Sequence, residues 1–184
     1  MKKRILSLAL ALLSAAALAG CGGGSSGTAT QSPPADCGAL LQAMLDADDS
    51  FPEMTQVAIS ARSLSPGSSE YRDRKKTFSY ISDLPFEQVE SFGVAYSSDG
   101  RIADELAVIC VTEDADADDA ADSLARHKED RLKLYQTYGP QEAARVEKGK
   151  VFTEGRYALL IICDKPDAVK EAFDSYLQGA DKEG

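Results

Sequence analysis

Residues 106–111 read Leu-Ala-Val-Ile-Cys-Val, six positions without a polar break. The run is short and rich in branched side chains, and such a segment reads as a strand buried on both faces or nearly so. Any fold for this chain has to cover it. Just upstream the period is two, with Phe92, Val94 and Tyr96 alternating with Gly93, Ala95 and Ser97. The Asp99-Gly100 pair between the two segments favours a tight hairpin whose return strand runs over about 103–112. A second hairpin is expected from 150–153 and 156–164 around Glu154 and Gly155.

Helical spacing surrounds these strands. Leu40, Leu41, Met44 and Leu45 predict a helix over 38–46, and Ala117, Ala121, Leu124, Leu132 and Tyr135 predict one over 114–138, ended by Gly139 and Pro140. A short helix over 141–147 and a last one over 166–178, stopped by Gly179, follow. Asp83 before Leu84-Pro85 reads as the cap of a short helical turn. Pro66, Gly67 and the serines near them make 64–76 a loop. Residues 51–61 are ambiguous, with Val57 and Ile59 able to begin a strand.

These elements predict an α+β domain over 37–184, an antiparallel sheet of four to five strands with helices packed mainly on one face. The two hairpin-plus-helix units resemble each other. A strand begins at Gly100-Arg101 and ends in Ile109-Cys110, with Asp122-Ser123 in the helix after it; another begins at Gly155-Arg156 and ends in Ile162-Cys163, with Asp174-Ser175 beyond. A ββα duplication would set both long helices on one face. Chance convergence on similar patterning is the alternative.

The N-terminus gives an address. Lys2, Lys3 and Arg4 precede an apolar run from Ile5 to Ala19, then Gly20 and Cys21. Roughly 15 residues fall short of the 20 or so that a spanning helix needs, so 1–20 reads as a cleaved signal peptide. Leu18-Ala19-Gly20-Cys21 matches the bacterial lipobox, in which the cysteine is acylated and becomes the new N-terminus. The expectation is a protein anchored to the cell membrane by lipid on Cys21, on the extracytoplasmic face. Residues 21–36, rich in Gly, Ser and Pro, read as a flexible tether.

Losing the three leader cations takes the formal charge from −10 to −13. That balance argues against nucleic acid as a partner, since such binders carry a basic face. Arg72, Arg74, Lys75 and Lys76 form a short basic run, read as a solvated loop or helix end. Beyond Cys21 the thiols are Cys37, Cys110 and Cys163, with no CxxC and no Cys/His cluster. Cys110 and Cys163 sit near the same ends of their strands, so antiparallel neighbours would hold them too far apart for a disulfide. They are expected to be buried thiols.

No catalytic, metal or cofactor set emerges. His127, the one histidine, falls in a charged helical stretch and reads as solvated. Asp114, Asp116 and Asp118 alternate as in a calcium loop, but positions six and twelve hold Asp119 and Ala125, and the acids suit the positive end of a helix. Asp104 and Glu105 are neighbours on a strand and point to opposite faces. Tyr135, Tyr138 and Tyr157 are the aromatic candidates for a ligand groove, with Tyr176 beside them.

The sequence resembles an uncharacterised group of short lipoproteins of Gram-positive bacteria, domain-of-unknown-function family 4358. The residues that carry the likeness are Ala103-Asp104-Glu105-Leu106-Ala107-Val108, the Tyr135/Tyr138/Pro140 spacing with Glu142, and Lys150-Val151 leading to Gly155-Arg156-Tyr157-Ala158-Leu159-Leu160. The resemblance covers the domain from about Phe51 onward, supports the lipoprotein address and adds no chemistry. The expected function is a non-enzymatic accessory or binding domain, without cofactor, meeting an unknown protein or small molecule. A cell-envelope hydrolase and a subunit that stabilises a membrane complex are the alternatives.

Overall fold

Two strands, Glu105–Val111 (β3) and Tyr157–Ile162 (β5), are buried at every position and form the middle of the sheet. In the computed structural model, which describes residues 36–183, they are flanked by Met54–Ser60 (β1), Val89–Ser97 (β2) and Lys150–Glu154 (β4) in the order β1-β2-β3-β5-β4. Every pairing is antiparallel. The expected signal peptide, Cys21 and the expected tether up to residue 35 lie outside the described residues.

Five helices complete the α+β fold: Cys37–Leu45 (α1), Ser69–Phe78 (α2), Ala117–Tyr138 (α3), Pro140–Lys148 (α4) and Pro166–Glu183 (α5). The sheet's two faces carry separate cores. Leu106, Val108 and Cys110 of β3, with Leu159 and Ile161 of β5, pack under Leu40, Leu41 and Met44 of α1 and Val169 and Phe173 of α5. Ala107, Ile109 and Val111, with Leu160 and Ile162, pack under Phe78 of α2, Leu124 and Tyr135 of α3 and Val146 of α4. Helices therefore cover both faces, which corrects the expectation that they lie mainly on one. A strand apolar on both sides needs a cover on each.

The two halves match as strands and diverge as helices. Ile109 and Ile162 face one core and Cys110 and Cys163 the other, so the two strand ends agree in facing. After Cys163 the chain turns to the face opposite the one α3 takes. Ser123 is buried and bonded to the 82–83 segment, its hydroxyl 2.7 Å from the Ser82 hydroxyl and 2.9 Å from the Asp83 amide, whereas Ser175 is exposed.

Three local readings are also corrected. Residues 69–78 form α2, started by Ser68, whose hydroxyl accepts from the Tyr71 amide at 3.0 Å. The helix is polar apart from Tyr71 and Phe78, whose rings lie 5.2 and 5.5 Å from that of Phe86 and pin it to the core. Its basic run is mostly engaged: Lys75 reaches Glu87 at 2.9 Å and Arg72 the Gly67 carbonyl at 2.6 Å. Asp83 caps nothing. Its carboxylate takes a two-pronged contact from Arg126 at 3.0 and 2.6 Å, which holds its pKa down to about 2. The β2–β3 link is a seven-residue loop over 98–104 rather than a two-residue turn, closed by Asp99 accepting from the Arg101 amide. The β4–β5 turn is tight, with Gly155 at φ +53°.

Among the described residues the three thiols, Cys37, Cys110 and Cys163, are free and buried. In the register of β3 with β5, Cys110 faces Tyr157 while Glu105 faces Ile162, so Cys110 and Cys163 lie at opposite ends of the pair, as antiparallel geometry requires. Burial raises the pKa of both to about 11 and pushes Cys37 higher still. At neutral pH they are protonated small hydrophobes.

Candidate binding cleft

Asp104 lies just before β3 and Glu105 opens it, and each meets its own cation, Arg145 of α4 and Arg131 of α3. Asp104 is buried, and both its oxygens accept from Arg145 Nη1, at 2.8 and 2.7 Å. Burial raises its pKa against the opposing pull of Arg145. Arg145 also lies 3.2 Å from Glu142 and 3.3 Å from Asp164. Glu142 in turn accepts from the Ala103 amide at 3.0 Å, and the Tyr135 hydroxyl donates to the Ile102 carbonyl at 2.8 Å. Most of the family-like motif residues around 103–105, 135 and 142 thus fasten the entry of β3 onto α3 and α4. A pocket of about 530 Å³ beside this knot is lined by Glu142, Arg145 and Asp164, which pair with one another, and reaches Lys148, Lys150 and Cys163.

Glu105 faces α3. Its side chain is 3% exposed, with Oε1 2.7 Å from His127 Nε2 and Oε2 2.8 Å from Arg131 Nε. The Arg131 N–H is not aligned with that oxygen, so the contact is an ion pair without a good hydrogen bond. Its Nη2 donates to the Ala103 carbonyl at 3.3 Å and its guanidinium lies 5.2 Å from the Tyr135 ring centre. His127 is therefore not a solvated residue. It continues the inward stripe of α3 and touches a buried carboxylate.

This triad forms the back wall of a cleft of about 240 Å³. Val57 and Val94, opposed across β1 and β2, and Ile81 form its apolar floor. Tyr96 sits opposite Glu105 in the β2–β3 register. The rim carries Tyr80, 67% exposed, and Tyr96, 41% exposed. The cleft lies past the end of α2 at Phe78 and beside α3, which packs mainly on β3, β4 and β5 rather than on β1 and β2. An apolar floor, aromatic rim and one polar wall are the usual make-up of a small-ligand site.

The tyrosines expected to share a groove do not. Tyr135 is buried in the core under α3, Tyr157 in the core under α1 and α5, and Tyr138 is 82% exposed at the end of α3. The rim tyrosines are Tyr80 and Tyr96. A signal for the wall was present in the sequence: His127 and Arg131 are four residues apart and fall between Leu124 and Tyr135 on the buried stripe, opposite an acid on the neighbouring strand. Asp114 and Asp116 lie in a short 3₁₀ turn before α3, Asp118 and Asp119 in its first turn. Among the described residues, no group of three or more His, Cys, Asp or Glu is placed to hold a metal ion.

A family profile, Domain of unknown function (DUF4358), matches residues 68–163. That span is more than half of the chain and runs from the start of α2 to the end of β5, including every cleft residue except Val57. No curated protein and no solved structure matches. The matched span starts at Ser68, inside the stretch from Phe51 onward that resembles the family. On this evidence the chain belongs to domain-of-unknown-function family 4358 (DUF4358).

Proposed function

We propose that this protein is a membrane-anchored extracytoplasmic lipoprotein whose domain is a non-enzymatic binding module, with the cleft beside Glu105 as its ligand site. The observation that carries the binding reading is the cleft itself, two exposed tyrosines over an apolar floor with a buried ion triad behind it. Its chemistry suits a small ligand, or the tip of a partner, with an apolar or aromatic body. Both oxygens of Glu105 are engaged, which leaves that carboxylate no free side for acid–base work.

The address is supported by Leu18-Ala19-Gly20-Cys21 after a charged and apolar leader. Two or three acyl chains hold a protein on a bilayer where a single chain does so only marginally. No described helix is long and apolar enough to cross a membrane. Replacing Cys21 by Ser should move the protein from the membrane fraction to the soluble one, and the N-terminal peptide of the native product should carry the mass of its acyl groups. An unmodified N-terminus on membrane-free native protein defeats this half of the proposal.

A second reading, an envelope hydrolase, draws on the 2.7 Å contact between His127 and Glu105, the arrangement of a base and its orienting acid. The two separate cleanly. Tyr80→Ala should abolish retention of the natural ligand with His127→Gln leaving it partly intact, whereas a hydrolase loses turnover in His127→Gln. The third reading, a subunit that stabilises a membrane complex, predicts co-purification with integral membrane proteins in mild detergent.

A further inference from the structure

The sheet ends in two edges of different character. β4 is five residues long and carries Lys150 and Glu154 at its ends, with Lys150 drawn to Asp167 at 2.6 Å. Short length and charge are the usual devices by which an edge resists pairing with another chain. β1 has neither. Its seven residues, Met-Thr-Gln-Val-Ala-Ile-Ser, hold no charge, proline or glycine, in a chain of which 27% is charged. Its register with β2 advances one residue for one, so no bulge twists it away.

The backbone of β1 is also available. The Ser98 amide donates to the Glu53 carbonyl at 2.8 Å, and in the antiparallel register that follows, residues 55, 57 and 59 bond to β2. The N–H and C=O groups of Met54, Gln56, Ala58 and Ser60 then point outward. Among the described residues, the one acceptor of these that is engaged is the Ser60 carbonyl, held by the Ser63 hydroxyl at 2.9 Å. Thr55, Gln56 and Ala58 are exposed.

We propose that β1 is the docking edge for a second copy of this chain, the two β1 strands pairing antiparallel about a two-fold axis at Val57 so that both sheets run into one. Centred there, Gln56 meets Ala58 of the other copy and Met54 meets Ser60, so outward groups face outward groups. Charge selects this arrangement. Glu53 precedes the uncharged stretch and Arg62 follows it, both exposed, Arg62 keeping 64% of its side chain in solvent while it pairs with Glu90 of its own chain at 2.8 Å; antiparallel pairing brings the acidic end of each copy to the basic end of the other, and a parallel one would set like ends together. An uncharged edge is also where two copies of a strongly acidic protein repel least. Such a contact is isologous and closes on itself, leaving only the guarded β4 edges outside.

The test uses the full-length chain in an excess of detergent micelles, with sedimentation and amide hydrogen exchange over a dilution series. Two chains per particle at high concentration are expected, with slowed exchange at Met54, Gln56 and Ala58 that disappears on dilution. Gln56→Pro removes an outward donor and no bond to β2, so it should weaken association about tenfold or more while exchange in β3 and β5 stays slow. A chain monomeric throughout, or a dimer that Gln56→Pro leaves unchanged, overturns the proposal. So does protection of those three amides in a monomer, which would assign the edge to another segment of the same chain.

Discussion

The two faces of the sheet are built from the same two strands and finish differently. Under α1 and α5 the core is closed and apolar, with three cysteines among its members and Ser91 donating to Cys37 at 3.1 Å. Under α2, α3 and α4 the core is as apolar in its middle, but at the Glu105 end it holds a buried carboxylate, a histidine and an arginine, open to solvent through a cleft. A chain selected for stability alone would fill that corner with leucine, since a buried ion group seldom outperforms a well-packed apolar one. The closed face shows what this sequence does when it needs only to pack.

The comparison breaks first under truncation. Phe173→Ala on the closed face, where the ring packs edge-on against Tyr157 at 5.8 Å, should cost about 3–5 kcal/mol by the cavity it leaves. Glu105→Ala should cost about as much for another reason, the unpaired Arg131 cation left in a buried site. Urea denaturation of the two variants checks both values, and a Glu105→Ala loss below about 1 kcal/mol would mean that solvent already screens the triad.

Next comes the exchange of the triad for apolar groups. Glu105→Leu with His127→Leu and Arg131→Met should be neutral or stabilising by about 1–4 kcal/mol while abolishing cleft binding. A triple variant that unfolds would show the triad to be structural.

Acid separates the faces more gently. At the closed face Asp48 clamps the end of α1 to the start of α5, accepting from Lys165 at 2.7 Å and Ser50 at 2.6 Å, and these bonds lower its pKa to about 2. A lowered native pKa means stability that is complete above the unfolded value near 4 and is lost as pH falls toward 2. Asp104 has the opposite sign, its pKa raised by burial, so its protonation relieves a cost as pH falls. Asp48→Asn should therefore flatten the acid limb of a stability–pH curve between about 4 and 2, and Asp104→Asn should not. The smallest effect is Tyr80→Ala, expected within about 0.5 kcal/mol of the parent in urea because the ring is 67% exposed.

Much of this architecture was legible beforehand, and the exceptions share a cause. The unbroken apolar runs of β3 and β5 announced the sheet's centre, and by themselves they required covers on both faces; reading the helices onto one face set repeat similarity above that requirement. Helix α2 was hidden because its sequence is polar and its capping serine sits among loop residues, so only the contacts of Tyr71 and Phe78 with Phe86 show why it is ordered. The cleft was hidden because its floor and walls come from five separate elements. His127 looked solvated among its charged neighbours, although the spacing from Leu124 to Tyr135 carries it inward. Its partner, Glu105, was visible only as one of two adjacent acids. Tyr135 and Tyr157 were legible as aromatic but not as members of opposite cores.

The most direct test follows the aromatic ring and imidazole signals of the folded protein by NMR during titration with phenol and with indole, small probes of the ligand chemistry the cleft suits. The account predicts shifts at Tyr80, Tyr96 and His127 with those of Tyr157 and Phe173 unmoved. Shifts spread over both faces, or none at the cleft up to the probes' solubility, would contradict it.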